Sequence, residues 1–139
     1  MSPIHAYLTF DGNAQEAMRF YEKTLGGTIQ MMMTIGEAPD TEQMPADVKK
    51  RIMHASLAYG EGMLMASDTM PGQPYEGMKG FGVALTLETV AEARRVFDAF
   101  AEGGTVSMPF EKTFWVEAFG MVTDRFGTPW LINGGKPLV

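Results

Sequence analysis

The sequence predicts an α+β fold in which one strand–helix–strand–strand–strand unit is used twice. Three observations predict it. The stretch "AQEAMRFYEKTLGGT" at 14–28 returns 77 positions later as "AEARRVFDAFAEGGT" at 91–105, with the same Gly-Gly-Thr exit. Each copy follows a short alternating run, "IHAYLTF" at 4–10 and "FGVALTL" at 81–87. Each copy also leads into further strand-like runs before the chain breaks at Pro and Gly. Alternation marks a strand, and apolar residues three and four apart mark a helix.

In the first copy, Ile4, Ala6, Leu8 and Phe10 share one face, and His5, Tyr7 and Thr9 share the other. Asp11-Gly12 turns the chain, and Asn13 is the expected N-cap. Ala14, Ala17, Met18, Tyr21 and Leu25 form an apolar helical stripe. Gly26 or Gly27 then ends the helix in the left-handed conformation. "TIQM" leaves as a strand, and "RIMHASLAY" at 51–59 and "GMLMAS" at 62–67 follow, joined at Gly60-Glu61. The loop "GEAPDTEQMPADVKK" at 36–50 is long enough for a lid or rim, and equally suits a solvated loop with one helical turn begun at Pro45.

The second copy repeats the logic after the linker "TMPGQPYEGMK" at 69–79. Thr89 and Glu92 have capping-box spacing. Val90, Ala93, Val96, Phe97, Phe100 and Ala101 make the stripe, with Phe97 expected to match Phe20. Gly103-Gly104 stops the helix and "TVSM" leaves it. Strands are expected at about 114–123 and 128–133, with Pro129 near a strand start or on an edge. The expectation is one domain over 1–139, with modules at 1–70 and 80–139.

Composition narrows the function classes. With 139 residues and 45% apolar content, the chain should bury roughly 70% of its unfolded surface without staples. It has no cysteine, so disulfides, thiolate metal sites and cysteine nucleophiles are excluded. Net charge is −6, and Lys49-Lys50-Arg51 is the one basic cluster, which argues against a nucleic-acid partner. No apolar run reaches the ~20 residues of a membrane span, and the N-terminus lacks a signal-like pattern, so the expected location is the cytoplasm. Thirteen methionines suit irregular cores or adaptable pockets.

Three stretches carry a family resemblance: "YLTFDGNAQEAMRFYEKTLGG" at 7–27, "IMHASLAYGEGMLMASD" at 52–68 and "FGMVTDRFGTPWLIN" at 119–133. With the doubled βαβββ pattern, they make the chain similar to the vicinal oxygen chelate superfamily of glyoxalases, extradiol dioxygenases and bleomycin-resistance proteins. It looks most like the PhnB-like branch, over nearly its whole length. The resemblance implies two modules curled around a shared concave cavity, and a homodimer. Some branch members bear a demethylubiquinone methyltransferase label. This chain has no glycine-rich phosphate or adenosyl loop after a strand to match it.

In metal-dependent members of that family, each module supplies two ligands. Placed here, the four positions fall on His5, on or near His54, on Gly82 and on about Leu131. Two imidazoles do not complete a catalytic divalent-ion site, which needs a third ligand such as Glu117 or Glu111. No cofactor is therefore expected, with a divalent metal as the alternative.

Periodicity places His5 and Tyr7 on one polar strand face, and His54 with Ile52, Ser56 and Ala58 on another. Met31, Met32 and Met33 alternate faces, so at least one should point into the cavity, and Met63 and Met65 share a face. Trp115 and Trp130 fit core or ligand platform. The expected ligand-binding set is His5, Tyr7, His54, Met63, Met65 and Trp115. There is no G-x-S-x-G and no serine at a diagnostic spacing from either histidine. The expected function is binding of a small aromatic or apolar molecule. The alternatives are a metal-dependent lyase, isomerase or dioxygenase using His5 and His54, or a metal-free enzyme with a histidine base.

Overall fold

A computed structural model describes residues 3–139. The chain divides into two compact units, Met1–Gly77 and Met78–Val139. Each is built on its own four-stranded mixed sheet.

The first unit runs β1 (Ala6–Phe10), α1 (Ala14–Leu25), β2 (Thr28–Thr34), a 3-10 turn at Ile35–Glu37, α2 (Ala46–Lys49), β3 (Ile52–Tyr59) and β4 (Gly62–Asp68). Its sheet order is β1-β4-β3-β2, with β1 parallel to β4 and the other pairs antiparallel. Helix α1 packs on one sheet face. Leu8, Phe10, Ala55, Leu57, Leu64 and Ala66 meet Ala17, Met18 and Tyr21 there, all buried. This is the face that alternation assigns to Ala6, Leu8 and Phe10. Ile4 does not join it: the strand starts at Ala6, and Ile4 is 98% exposed.

The second unit runs β5 (Val83–Leu87), α3 (Val90–Ala101), β6 (Thr105–Glu111), β7 (Val116–Thr123) and β8 (Pro129–Pro137). Its order, β5-β8-β7-β6, repeats the first. Helix α3 packs on Leu85, Leu87, Val122, Trp130 and Ile132. Strand β8 runs four residues past the expected end at Asn133. Pro129 opens this central strand, where its missing N–H costs least. Strand β7 begins at Val116, so Phe114 and Trp115 precede it.

The twin Gly-Gly exits divide two jobs in the same order. Gly26 and Gly103 take φ of +83° and +75°, which L side chains resist. Gly27 and Gly104 need bare backbone instead. A Cβ on Gly27 would stand 2.5 Å from the Ala58 carbonyl oxygen, and one on Gly104 would collide with that of Thr123.

Three local expectations are corrected. Asn13 occupies the N-cap position of α1 without a side-chain bond. Asp68 acts in its place: its Oδ1 accepts from the N–H groups of Gly12 at 2.8 Å and Ala14 at 3.0 Å. Thr89 does accept from the Glu92 N–H at 3.1 Å, but the Glu92 carboxylate turns to Arg95 rather than closing the capping box. Phe20 and Phe97 are not equivalent. Phe97 is buried against the sheet, whereas Phe20 lies half-buried beside Tyr21, which fills the core. Helix α3 starts 76 residues after α1 (90 − 14), which matches buried Ala93, Phe97 and Phe100 to Ala17, Tyr21 and Thr24, so the 77-residue offset holds for β1, β5 and the exits but not for the helix faces.

Asp68 also accepts from the Ile52 N–H at 2.8 Å through Oδ2. Replacing it strands three backbone donors, two of them in buried bonds. In urea unfolding, Asp68→Ala is expected to lose about 3 kcal/mol, and Asp68→Asn less, because one amide oxygen still accepts. An unchanged midpoint in the alanine variant would show that these donors find other partners.

Candidate functional site

The face of the first sheet opposite α1 gathers most of the expected residues. Register places Tyr7 beside Met65, Met65 beside Ser56 and Ser56 beside Met31, one row across all four strands. Met63 lies beside Ala58, and Met33 beside His54. Met63, Met65 and His54 are half-buried, and Tyr7 and Met31 are each 47% exposed. Tyr7 reaches across β4 to His54. Its Oη lies 2.9 Å from His54 Nδ1, and the rings stack with centroids 5.6 Å apart and planes at 29°. His5 sits half-buried one residue ahead of β1. The fold therefore brings Tyr7, His54, Met63 and Met65 to one face and joins two of them, while His5 takes no part in that bond.

Trp115 lies in the second unit, at a cleft of about 260 Å³. Thr86, Trp115, Val116, Asn133, Gly135 and Pro137 line it. The Thr113 hydroxyl oxygen sets this corner by accepting from the N–H groups of Trp115 and Val116. Leu138 N–H then bonds the Trp115 carbonyl at 2.8 Å. The indole packs edge-on to Phe119 at 5.2 Å and to Phe114 at 5.0 Å. Thr86 and Asn133 are register partners on β5 and β8 and add a hydroxyl and an amide. The sequence reading missed Thr86. The signal was present, since in "VALTL" it alternates with buried Leu85 and Leu87.

Trp130 is core. It stacks on Phe100 at 4.5 Å, and its Nε1–H donates to buried Asp124 at 2.9 Å. Asp124 also accepts from the N–H groups of Phe126 and Thr128, so it holds the turn into β8.

The metal positions implied by the resemblance can be tested on these residues. Gly82 lies against the Leu131 side chain, which a Cβ at 82 would strike. Register makes Met65 the counterpart of Leu131, since Tyr7–Met65 and Ala84–Leu131 are the corresponding pairs. Glu117 accepts the Lys136 N–H at 2.6 Å and is crowded by Gly135, so it serves the irregular β7–β8 pairing. Glu111 is exposed on β6. Among the described residues, no three His, Cys, Asp or Glu side chains group where they could hold a metal ion. The donor set does not fit a divalent cation. Glu92 is equally remote from chemistry: the Arg95 guanidinium, bonded to it on the α3 surface, holds its carboxyl below the usual carboxylate range.

Comparison with known proteins places this geometry. The family model for the Glyoxalase/Bleomycin resistance protein/Dioxygenase superfamily matches residues 4–132. Protein YjdN of Escherichia coli is 35% identical, with 94% of each chain covered. The crystal structure of protein PA1353 from Pseudomonas aeruginosa is 48% identical with a TM-score of 0.90, covering 97% of this chain and 98% of that one. The PhnB protein of Bacillus cereus is 22% identical with a TM-score of 0.81, covering 96% and 100%, a likeness of fold alone.

The two tryptophans give this site its own probe. Trp115 is half-exposed and Trp130 buried. Acrylamide is expected to quench an accessible and a protected fraction of the emission, and Trp115→Phe to leave only the protected one. Persistence of the accessible fraction in that variant would contradict the placement of Trp115.

Proposed function

We propose a function on this footing: the chain belongs to the Glyoxalase/Bleomycin resistance protein/Dioxygenase superfamily, and within it binds a small aromatic or apolar molecule rather than catalysing a metal-dependent reaction. The observation that carries the reading is the face bearing Tyr7, Met31, Met63, Met65 and His54. It sets half-exposed aromatic and thioether groups beside the bonded Tyr7–His54 pair. Methionines adapt to a flat ligand with few demands on its shape, and a few polar groups among apolar ones are the usual make-up of a ligand site. The Trp115 cleft supports the reading from the second unit, with an indole wall and the Thr86 and Asn133 side chains. Gly82 and Leu131, which offer no donor, speak against the metal-dependent alternative. In this reading the protein works in the cytoplasm without a cofactor.

A thermal-shift screen against aromatic metabolites and hydrophobic antibiotics tests it. A ligand at 100 times its Kd adds about 2.7 kcal/mol, enough for a clear rise in Tm. The double variant His54→Ala, Met65→Ala is expected to weaken such a ligand by about 1–3 kcal/mol, the scale of lost contact with a buried side chain. Equal affinity in wild type and variant would move the binding site away from this face.

We also propose that the chain pairs with a second copy. Among the described residues, each sheet ends on strands with one unpaired edge, β1 and β2 in one and β5 and β6 in the other, and open edges are commonly covered by association. Light scattering at tens of micromolar should report twice the 15.3 kDa chain mass. A value at the monomer mass would refute pairing.

A further inference from the structure

The polar clusters of the described residues sort by what they hold. Asp68 binds three backbone N–H groups. Asp124 binds two and the Trp130 indole. Glu117 binds the Lys136 N–H. Arg51 ties Asp11 to Thr69, donating to the Thr69 hydroxyl and carbonyl oxygens. Each has a structural task. Among the described residues, Tyr7 and His54 hold no backbone group. They bond only each other, on a face half-open to solvent.

We infer that the Tyr7–His54 pair is a recognition point for an oxygen acceptor, so that the ligand of this face carries a carboxylate or carbonyl oxygen beside its apolar body. This rests on the binding function proposed above for the same face and adds the chemistry of the ligand. The protons of the pair can be counted. A neutral imidazole has one N–H and one bare nitrogen. If Tyr7 donates to Nδ1, the proton of His54 is on Nε2, away from the bond, and a ligand meets that N–H. If Nδ1–H donates to Tyr7 Oη, the phenolic hydrogen is freed, and a ligand meets an O–H. In the imidazolium form Nδ1–H again donates to Oη, and both Nε2–H and the phenol are donors.

Every protonation state thus offers at least one donor outside the pair, whereas a bare nitrogen is offered in only one. An acceptor oxygen satisfies all three states. A ligand presenting only donors meets the bare nitrogen in one state and otherwise only the phenol oxygen, a weaker acceptor because its lone pairs conjugate with the ring. Each donor stands beside a thioether, because Tyr7 is the register partner of Met65 and His54 that of Met33. An oxygen on the rim of a flat apolar body matches that arrangement.

Three probes with one ring system test it by titration calorimetry: 2-naphthoate, 2-naphthamide and 2-methylnaphthalene. The first two carry an acceptor oxygen, charged or neutral, and the third carries none. In wild type the two acceptors are expected to bind about tenfold tighter than 2-methylnaphthalene, the scale of one hydrogen bond in a partly desolvated site. The double variant Tyr7→Phe, His54→Phe is expected to lose that preference, so that the acceptor-bearing probes bind it no more than about twofold tighter than 2-methylnaphthalene does. His54→Gln, which keeps an amide donor and the phenol, should recover part of the preference. Nitrogen-15 spectra of the imidazoles should show 2-naphthoate shifting His54 rather than His5. Binding of all three probes without preference in wild type, or a preference that survives in the double variant, would overturn this inference and leave the binding function standing. No binding by any of the three would overturn both.

Discussion

Asp68 ends β4 with its carboxylate 1% exposed, and an ionised carboxylate taken out of water is costly unless its oxygens are filled. Here they are filled by backbone. Gly12 and Ala14 bring the β1–α1 turn to one oxygen, and Ile52 brings the start of β3 to the other. The entry angle of α1, the start of β3 and the end of β4 are thereby fixed against one another. The face opposite α1 inherits that order. Tyr7 leaves from β1 and His54 from β3, so their 2.9 Å bond depends on the two strands that Asp68 holds in place. Arg51, next to Ile52, reinforces the corner through Asp11 and Thr69.

The second unit solves the same problem with a different residue at a different place. Asp124 lies in the β7–β8 turn rather than at a strand end, and it fixes the turn and the indole of Trp130. Its helix begins on the local Thr89 cap and needs no distant carboxylate. The two copies share topology and exits, but not the polar anchors. Duplication constrains what backbone geometry demands and leaves each unit to find its own way of satisfying buried donors.

This distinction explains what could be read in the sequence. The eight strands, the two long helices and the Gly-Gly exits are local features, set by alternation, helical spacing and the needs of backbone at +83° and +75°. The helix cap on Asp68 spans 54 residues and has no local trace, so Asn13 looked like the cap. The helix faces misled through the repeat itself. The 77-residue match aligns Phe20 with Phe97, yet packing on the sheet buries Tyr21 in one copy and Phe97 in the other. Tyr7 and His54 were each legible as polar-face residues by alternation, but their contact spans 47 positions and depends on β4 lying between their strands. Trp115 was legible as a candidate; Thr86 was legible as a residue of the polar strand face, but its place in the cleft depends on where β7 begins and on the return of the chain at Pro137.

The asymmetry between the copies bears on function. At corresponding positions the first unit has His5, Tyr7 and Met65, and the second has Gly82, Ala84 and Leu131. Every donor and soft atom of that set is in one copy, and hydrocarbon or bare backbone is in the other. A metal site drawing equally on both modules requires ligands from each, and a coordination sphere missing half its donors has little hold on an ion. Binding of a molecule with one polar end needs no such balance. It needs polar groups in one place and apolar surface elsewhere, with few of the polar groups already spent on the fold. The first unit keeps the Tyr7–His54 pair free of backbone duties while Asp68 and Arg51 carry them. Division of labour among the polar side chains of that unit leaves the bonded Tyr7–His54 pair on its half-open face without a backbone partner.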